Sequence, residues 1–320
     1  MSTTVGIDIG GSSVTAVTRD DSAEIVGRYK SSASLQGGYQ VAASAVEAWR
    51  SLATDDCVAV GVGVPGRVNP ETGQVSLAVN LGIGPEPFDL AGEIESEIGL
   101  PVAIENDVKI AALGAHEALT RAGNGVACLV VVSIGTGISA GVVVDGAVLR
   151  GASGMAGEIG HIVVDDAGPV CRCGQRGCLE ALAAGPAIGK AWPGGPDKAA
   201  ASALFAALAA GDRAAETVAN RIVGHLTTAL IWLAAAYDPD LILLAGGVVS
   251  AGETLLDVVR SQIEDRGAVS ELAARRLRPE QVQLASVGDP PGPRGAALLA
   301  ARNSVGLRVS PAVKKASNDK

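Results

Sequence analysis

His161 and the run Cys171-Arg172-Cys173-Gly174-Gln175-Arg176-Gly177-Cys178 put one imidazole and three thiols within eighteen residues. Soft nitrogen and sulfur donors at that density suit a tetrahedral zinc ion better than a disulfide framework, and the odd total of five cysteines points the same way. A closed set of three cysteines and one histidine leaves no position for water, so such a metal would brace the chain and not polarise a substrate. Glu158 stands three residues before His161, and Glu180 two after Cys178. Each alone reads as an ordinary surface acid. On a metal-braced mount, however, the two carboxylates suit recognition of several hydroxyl groups, with His161 using one ring nitrogen for metal and the other for a ligand hydroxyl. Cys57 and Cys128 lie in apolar runs and are expected to be inert core thiols.

Three glycine turns each follow a strand-like run. In Asp8-Ile9-Gly10-Gly11-Ser12 a carboxylate at a strand end can hold hydrated Mg²⁺ while bare backbone amides approach phosphate oxygens. Gly135-Thr136-Gly137 offers a second such cradle, and Gly246-Gly247 a third, flat enough for an adenine or ribose. Any one of them alone is an ordinary turn more often than a site. Asn106-Asp107 is the remaining polar pair, at a strand-to-helix junction where an aspartate commonly caps the helix. The helix dipole there would also keep Asp107 ionised and able to accept a proton.

Two common nucleotide motifs are excluded. No G-x-x-x-x-G-K-[ST] segment occurs, which excludes a P-loop. Gly61-Val62-Gly63-Val64-Pro65-Gly66 matches G-x-G-x-x-G, but the dinucleotide fingerprint needs a helix at its third glycine, and Arg67 to Gly73 reads as a turn.

These groups must be positioned by an alternating α/β chain. A hairpin is expected over Thr3–Thr18 and a second strand–turn–strand unit over Val126–Val144, a local similarity that hints at internal duplication. Further strands are expected at Cys57–Val64, Pro101–Ile104, Leu241–Leu244 and Val282–Ala285. Helices are expected near Gln40–Leu52, Leu90–Ile98, Val108–Ala122, Asp197–Ala210, Asp212–Ala236, Glu253–Asp265 and Arg294–Ala301. The 320 residues suit two lobes. We expect an N-terminal α/β lobe over 1–120, joined by a C-terminal helix at 292–303, a larger α/β lobe with the cysteine cluster over 121–291, and a flexible tail over 304–320.

A net charge of −9 argues against a nucleic-acid binder working through overall charge. Apolar runs such as Leu129–Val132 and Ala229–Ala236 fall short of the ~18 residues a membrane span needs. Asp8 and its glycines interrupt any leader-like start, so a cytoplasmic protein with no membrane partner is expected.

Together these segments resemble the ROK family (repressor, open reading frame, kinase) of sugar kinases, with a match running from Asp8 to about Ala301. Gly157-Glu158-Ile159-Gly160-His161 with Cys171-x-Cys173-Gly174-x-x-Gly177-Cys178-x-Glu180 is similar to the family's zinc and sugar signature, and Glu105-Asn106-Asp107 to its catalytic segment. The resemblance implies a two-lobed actin/hexokinase-like (ribonuclease H-like) fold with an interdomain cleft. It implies ATP-dependent phosphorylation of a hexose, most often at the 6-hydroxyl, with Asp107 as general base. Asn106, Glu158, His161 and Glu180 would bind sugar hydroxyls, with Gly66 and Asn80 lining the same pocket. Asp8, Gly10, Gly11, Ser12, Gly135, Thr136, Gly137, Gly246 and Gly247 would bind the nucleotide with Mg²⁺, and structural zinc would sit on His161, Cys171, Cys173 and Cys178. A homodimer is implied as well. Glucose is the first choice of acceptor; mannose, fructose, N-acetylglucosamine and N-acetylmannosamine stay open, the last because Gly66-Arg67-Val68-Asn69-Pro70 looks like the corresponding turn in N-acetylmannosamine kinases.

The chain departs from the pattern twice. Gly10-Gly11-Ser12-Ser13 stands where Gly-Gly-Thr-Lys is usual, so a cationic phosphate contact is missing and donor identity stays open. Val108-Lys109-Ile110 follows Asp107, with Lys109 read either as a solvated first-turn residue or as one approaching a phosphate. Family repressors carry a helix-turn-helix domain before the first phosphate turn, whereas the first strand here starts at Thr3, which argues against that role. A catalytically silent sugar sensor is the other alternative.

Overall fold

The computed structural model describes residues 2–192, 197–285 and 291–307. These divide into two compact units. The first holds the described residues up to Ala118, the segment Ala152–Gly154 and the C-terminal helix, and the second holds Leu119–Gly151 and the described residues from Met155 to Ala285.

The first unit is built on β1 (Thr3–Ile9), β2 (Ser13–Asp20), β3 (Ile25–Ser32), α1 (Gly38–Leu52) and β4 (Cys57–Val64). A small sheet of β5 (Arg67–Asn69), β6 (Gln74–Ser76) and β7 (Phe88–Asp89) follows, then α2 (Leu90–Ile98), β8 (Val102–Asn106) and α3 (Asp107–Arg121). The main sheet runs β3-β2-β1-β4-β8, with β1, β4 and β8 parallel and the hairpin strands antiparallel. Val5, Ile7 and Ile9 of β1 and Val60, Val62 and Val64 of β4 are fully buried, as strands covered on both faces require. Helix α2 starts where Asp89 accepts the Gly92 N–H at 3.0 Å and stops at left-handed Gly99.

The second unit repeats the plan. β9 (Cys128–Ile134), β10 (Ile138–Val144) and β11 (Ala147–Val148) precede α4 (Leu179–Ala183), α5 (Gly185–Ala191), α6 (Asp197–Ala209) and α7 (Arg213–Tyr237). β12 (Leu241–Ala245), α8 (Glu253–Ala268), α9 (Glu271–Arg276) and β13 (Val282–Leu284) complete it. Its sheet runs β11-β10-β9-β12-β13, again a hairpin beside parallel strands, so the local echo in the sequence reflects a repeated topology. α7 is the one described helix long and apolar enough to cross a bilayer. Ala219, Ile222, Val223, Leu226, Leu230 and Leu233 on it are buried in the unit's own core, which accounts for that composition.

Three expectations change. The closing helix α10 runs from Pro291 to Leu307, beyond the expected Arg294–Ala301 at both ends, because proline is tolerated in a first turn whose N–H groups have no helical partner. The expected tail therefore begins inside a helix; 308–320 lie outside the described residues. The turn expected over Arg67–Gly73 is a β5–β6 hairpin, so the rejected dinucleotide motif indeed has no helix after Gly66. Its glycines serve packing instead. Gly6 and Gly61 face each other across β1 and β4, and a Cβ on Gly61 would run into the Ala296 backbone, so the pair lets α10 lie directly on the sheet.

Candidate active site

In the first unit the parallel register aligns Asp8, Gly63 and Glu105 across β1, β4 and β8, which puts Asp8 at the same sheet end as the Asn106-Asp107 junction. The carboxyl ends of parallel strands are where α/β sheets hold ligands. Gly10-Gly11-Ser12 closes the β1–β2 turn through a Gly10 N–H to Ser13 carbonyl bond of 2.9 Å. Asn80, exposed in a short 3₁₀ turn, adjoins Gly11: a Cβ there would lie 3.5 Å from the Asn80 Cβ. Gly66, in the left-handed region at φ 98°, presents its carbonyl to Asn106 Nδ2 at 3.2 Å.

The cap of α3 belongs to Asn106 and not to Asp107, the expected capping residue. Asn106 Oδ1 accepts the Val108 and Lys109 N–H groups at 3.1 and 3.2 Å. Asp107 occupies the first helical position, half-buried, with Oδ1 accepting the Val108 N–H at 2.9 Å. Lys109 is not the solvated first-turn residue of one expectation: it is buried, and its Nζ donates to the Gly154 carbonyl. Asp8 retains some exposure, but its carboxylate is packed against Gly63 and Gly292, where a Cβ on Gly292 would collide with it. Burial, and then the negative charge of Asp107, push the Asp8 carboxyl up to about 8. An acid so reluctant to ionise beside a glycine turn fits a site that receives a cation with its ligand, and Asp8 is the residue that would hold the hydrated Mg²⁺ of a nucleotide.

In the second unit, β9 and β12 run parallel with Ser133 opposite Ala245, so Gly135-Thr136-Gly137 and Gly246-Gly247 leave the sheet at one end. Gly246 packs on the Ile134 backbone, bringing the two turns together. The ligand atoms of His161, Cys171, Cys173 and Cys178 all lie within 4.8 Å of one another. Cys173 Sγ is 3.6 Å from Cys178 Sγ, and Cys171 Sγ is 3.7 Å from His161 Nδ1. A tetrahedral zinc with bonds of about 2.3 Å to sulfur would set its ligands about 3.8 Å apart, so the four residues fit that ion. Without metal, burial pushes the Cys178 thiol up to about 12, whereas the Gln175 backbone N–H leads the effects that hold exposed Cys173 down to about 6.

Glu158 precedes and His161 ends a 3₁₀ turn, Ile159–His161, whose three-residue period puts the two on one side. His161 directs Nδ1 to the thiols, which turns Nε2 the other way. Glu180, in the first turn of α4, accepts the Ile138 N–H through Oε2 at 3.2 Å and pairs with Arg172 through Oε1 at 3.1 Å. The pairing with Arg172, between two cysteines, was not anticipated; spacing alone carries no sign of it.

The ROK family model matches residues 4–303. A glucokinase of Halalkalibacterium halodurans is 34% identical over 81% of this chain and 84% of its own. An N-acetylmannosamine kinase of Vibrio cholerae is 33% identical over 83% of this chain and 91% of its own. Among solved structures, a ROK family glucokinase of Streptomyces griseus in complex with glucose and AMPPNP superposes with a TM-score of 0.74 at 30% identity, covering 94% of this chain and 99% of its own. The two-unit α/β architecture is thus the actin/hexokinase-like fold that the motifs implied. From its first strand to its last helix, the chain belongs to the ROK family.

Proposed function

We propose that the protein is an ATP-dependent hexose kinase, with glucose as acceptor and glucose 6-phosphate as product. The observation that carries this reading is the arrangement at the start of α3: Asn106 Oδ1 takes the Val108 and Lys109 N–H groups, and Asp107, whose Oδ1 shares the Val108 N–H, stands half-buried beside the Asp8 turn. In the reaction the sugar oxygen forms a new bond to the γ-phosphorus as the bond to the β-phosphate oxygen breaks. Asp107 takes the hydroxyl proton and ADP departs. Such a transfer has a loose transition state, so positioning supplies most of the acceleration, and general-base assistance adds about 10²–10⁴-fold.

Asn106, Glu158, His161 and Glu180 are assigned to sugar hydroxyls, with Gly66 and Asn80 lining their surroundings. The three glycine turns, with Asp8 and Ser12, are assigned to the nucleotide. Mg²⁺ bound with ATP would neutralise phosphate charge. Zinc on His161, Cys171, Cys173 and Cys178 would fix the orientation of His161 and the segment leading to Glu180. Free cysteines and a need for ATP suit a cytoplasmic protein, and the family resemblance implies a homodimer. N-acetylmannosamine is the second acceptor to test, favoured by the Vibrio cholerae relative and the turn at Gly66-Arg67-Val68-Asn69-Pro70. Coupled ADP-release assays over glucose, mannose, fructose, N-acetylglucosamine and N-acetylmannosamine test the reading. A highest kcat/KM for glucose supports it, and sugar binding without turnover supports a silent sensor instead.

A further inference from the structure

Glu180 is assigned above to the sugar, yet its carboxylate is already committed to the second glycine turn. Oε2 accepts the Ile138 N–H immediately after Gly137, and a Cβ on Gly137 would lie 2.6 Å from that oxygen. Oε1 is held by Arg172, whose flanking residues Cys171 and Cys173 belong to the thiol cluster. The carboxylate therefore joins the cysteine knuckle to the turn that would cradle phosphate. Each carboxylate oxygen has two acceptor directions, so a sugar hydroxyl can add a bond to Glu180 without displacing either partner. A hydroxyl donated to Glu180 would then restrain the Gly135–Gly137 turn through Ile138. Linkage requires the converse: an ordered turn strengthens the sugar contact.

We propose that Glu180 couples the two substrates, so that hexose bound at its carboxylate tightens nucleotide binding at the Gly135-Thr136-Gly137 turn, with Arg172 as a positioning residue that sets the angle of the carboxylate. The inference rests on the reading of Glu180 as a sugar ligand. Gly137 has no left-handed backbone, so in Gly137→Ala it is the Glu180 contact that opposes the new methyl group.

The test is calorimetric titration of a non-hydrolysable ATP analogue with Mg²⁺, with and without saturating glucose, on the wild-type protein, Gly137→Ala and Arg172→Ala. Glucose is expected to tighten analogue binding by at least about fivefold in the wild type. In Gly137→Ala that gain should shrink to less than about twofold, and glucose affinity measured without nucleotide should fall as well. Arg172→Ala should weaken glucose binding by up to about fivefold, the scale of an exposed ion pair, at unchanged zinc content and unfolding temperature. Should Gly137→Ala fail to fold, Arg172→Ala carries the test through the same two titrations. Glucose binding that leaves analogue affinity unchanged overturns the coupling alone. A wild-type protein that binds no hexose overturns the coupling together with the functional reading.

Discussion

The exchange of roles between Asn106 and Asp107 shows what single residues settle. Both side chains can cap a helix, but Asn106 sits one position earlier, where its Oδ1 reaches two backbone N–H groups. Asp107→Asn should therefore lower kcat by about 10²–10⁴-fold while leaving glucose affinity within a few-fold, as separate kinetic and calorimetric measurements would register. Asp8 yields a pH signature. Its folded pKa of about 8 lies above the ordinary 3.8, so the metal-free folded protein holds a proton that the unfolded chain releases. Stability from that group is present below pH 4 and declines as pH rises towards 8, by an amount on the order of a few kcal/mol. Denaturant unfolding of Asp8→Asn across that range should show a flatter decline than the wild type. The sequence displayed Asp8, Asn106 and Asp107 as candidates because each stands next to a strand end or turn. It did not display that Lys109 is buried, since its Gly154 partner is 45 residues away and a lysine in a first helical turn usually faces water.

Among the elements, the cysteine knuckle was the most legible, because its ligands lie close together in the chain and metal geometry constrains their spacing. Cys171→Ser is expected to abolish zinc retention in metal analysis and to raise glucose KM on the order of tenfold, more than it lowers kcat. Because the buried Cys178 thiol must lose its proton before ligating, zinc retention should weaken as pH falls. The seat of α10 was illegible. The turn after Gly66 excludes a dinucleotide role for Gly61 but says nothing of what Gly61 packs against, because that partner, Ala296, lies far along the chain. Gly61→Ala forces a methyl group into the helix backbone and should destabilise the protein by about 1–3 kcal/mol, lowering the thermal midpoint without changing zinc content. The β5-β6-β7 sheet escaped notice for a different reason: strands of two or three residues carry too little alternation to show a period.

Across the molecule, two sheets of one topology each end in glycine turns that follow parallel strands, and the residues assigned to chemistry gather at those ends. The repeat was visible in the sequence only at Thr3–Thr18 and Val126–Val144, because the remaining strands differ in length and are separated by unlike helices. ROK membership was legible because its motifs are contiguous in the chain and made of distinctive residue types, a cysteine and histidine cluster and glycine turns. Acceptor identity was not, since it depends on side chains brought together by the fold. The most direct measurement is hexose-dependent ADP release from ATP, with the sugar product identified by mass spectrometry, in wild-type protein and Asp107→Asn. Glucose 6-phosphate is expected in step with ADP from the wild type, with turnover at least about a hundredfold slower in the variant. Equal turnover by the two proteins, or ADP release without a phosphorylated sugar, would contradict it.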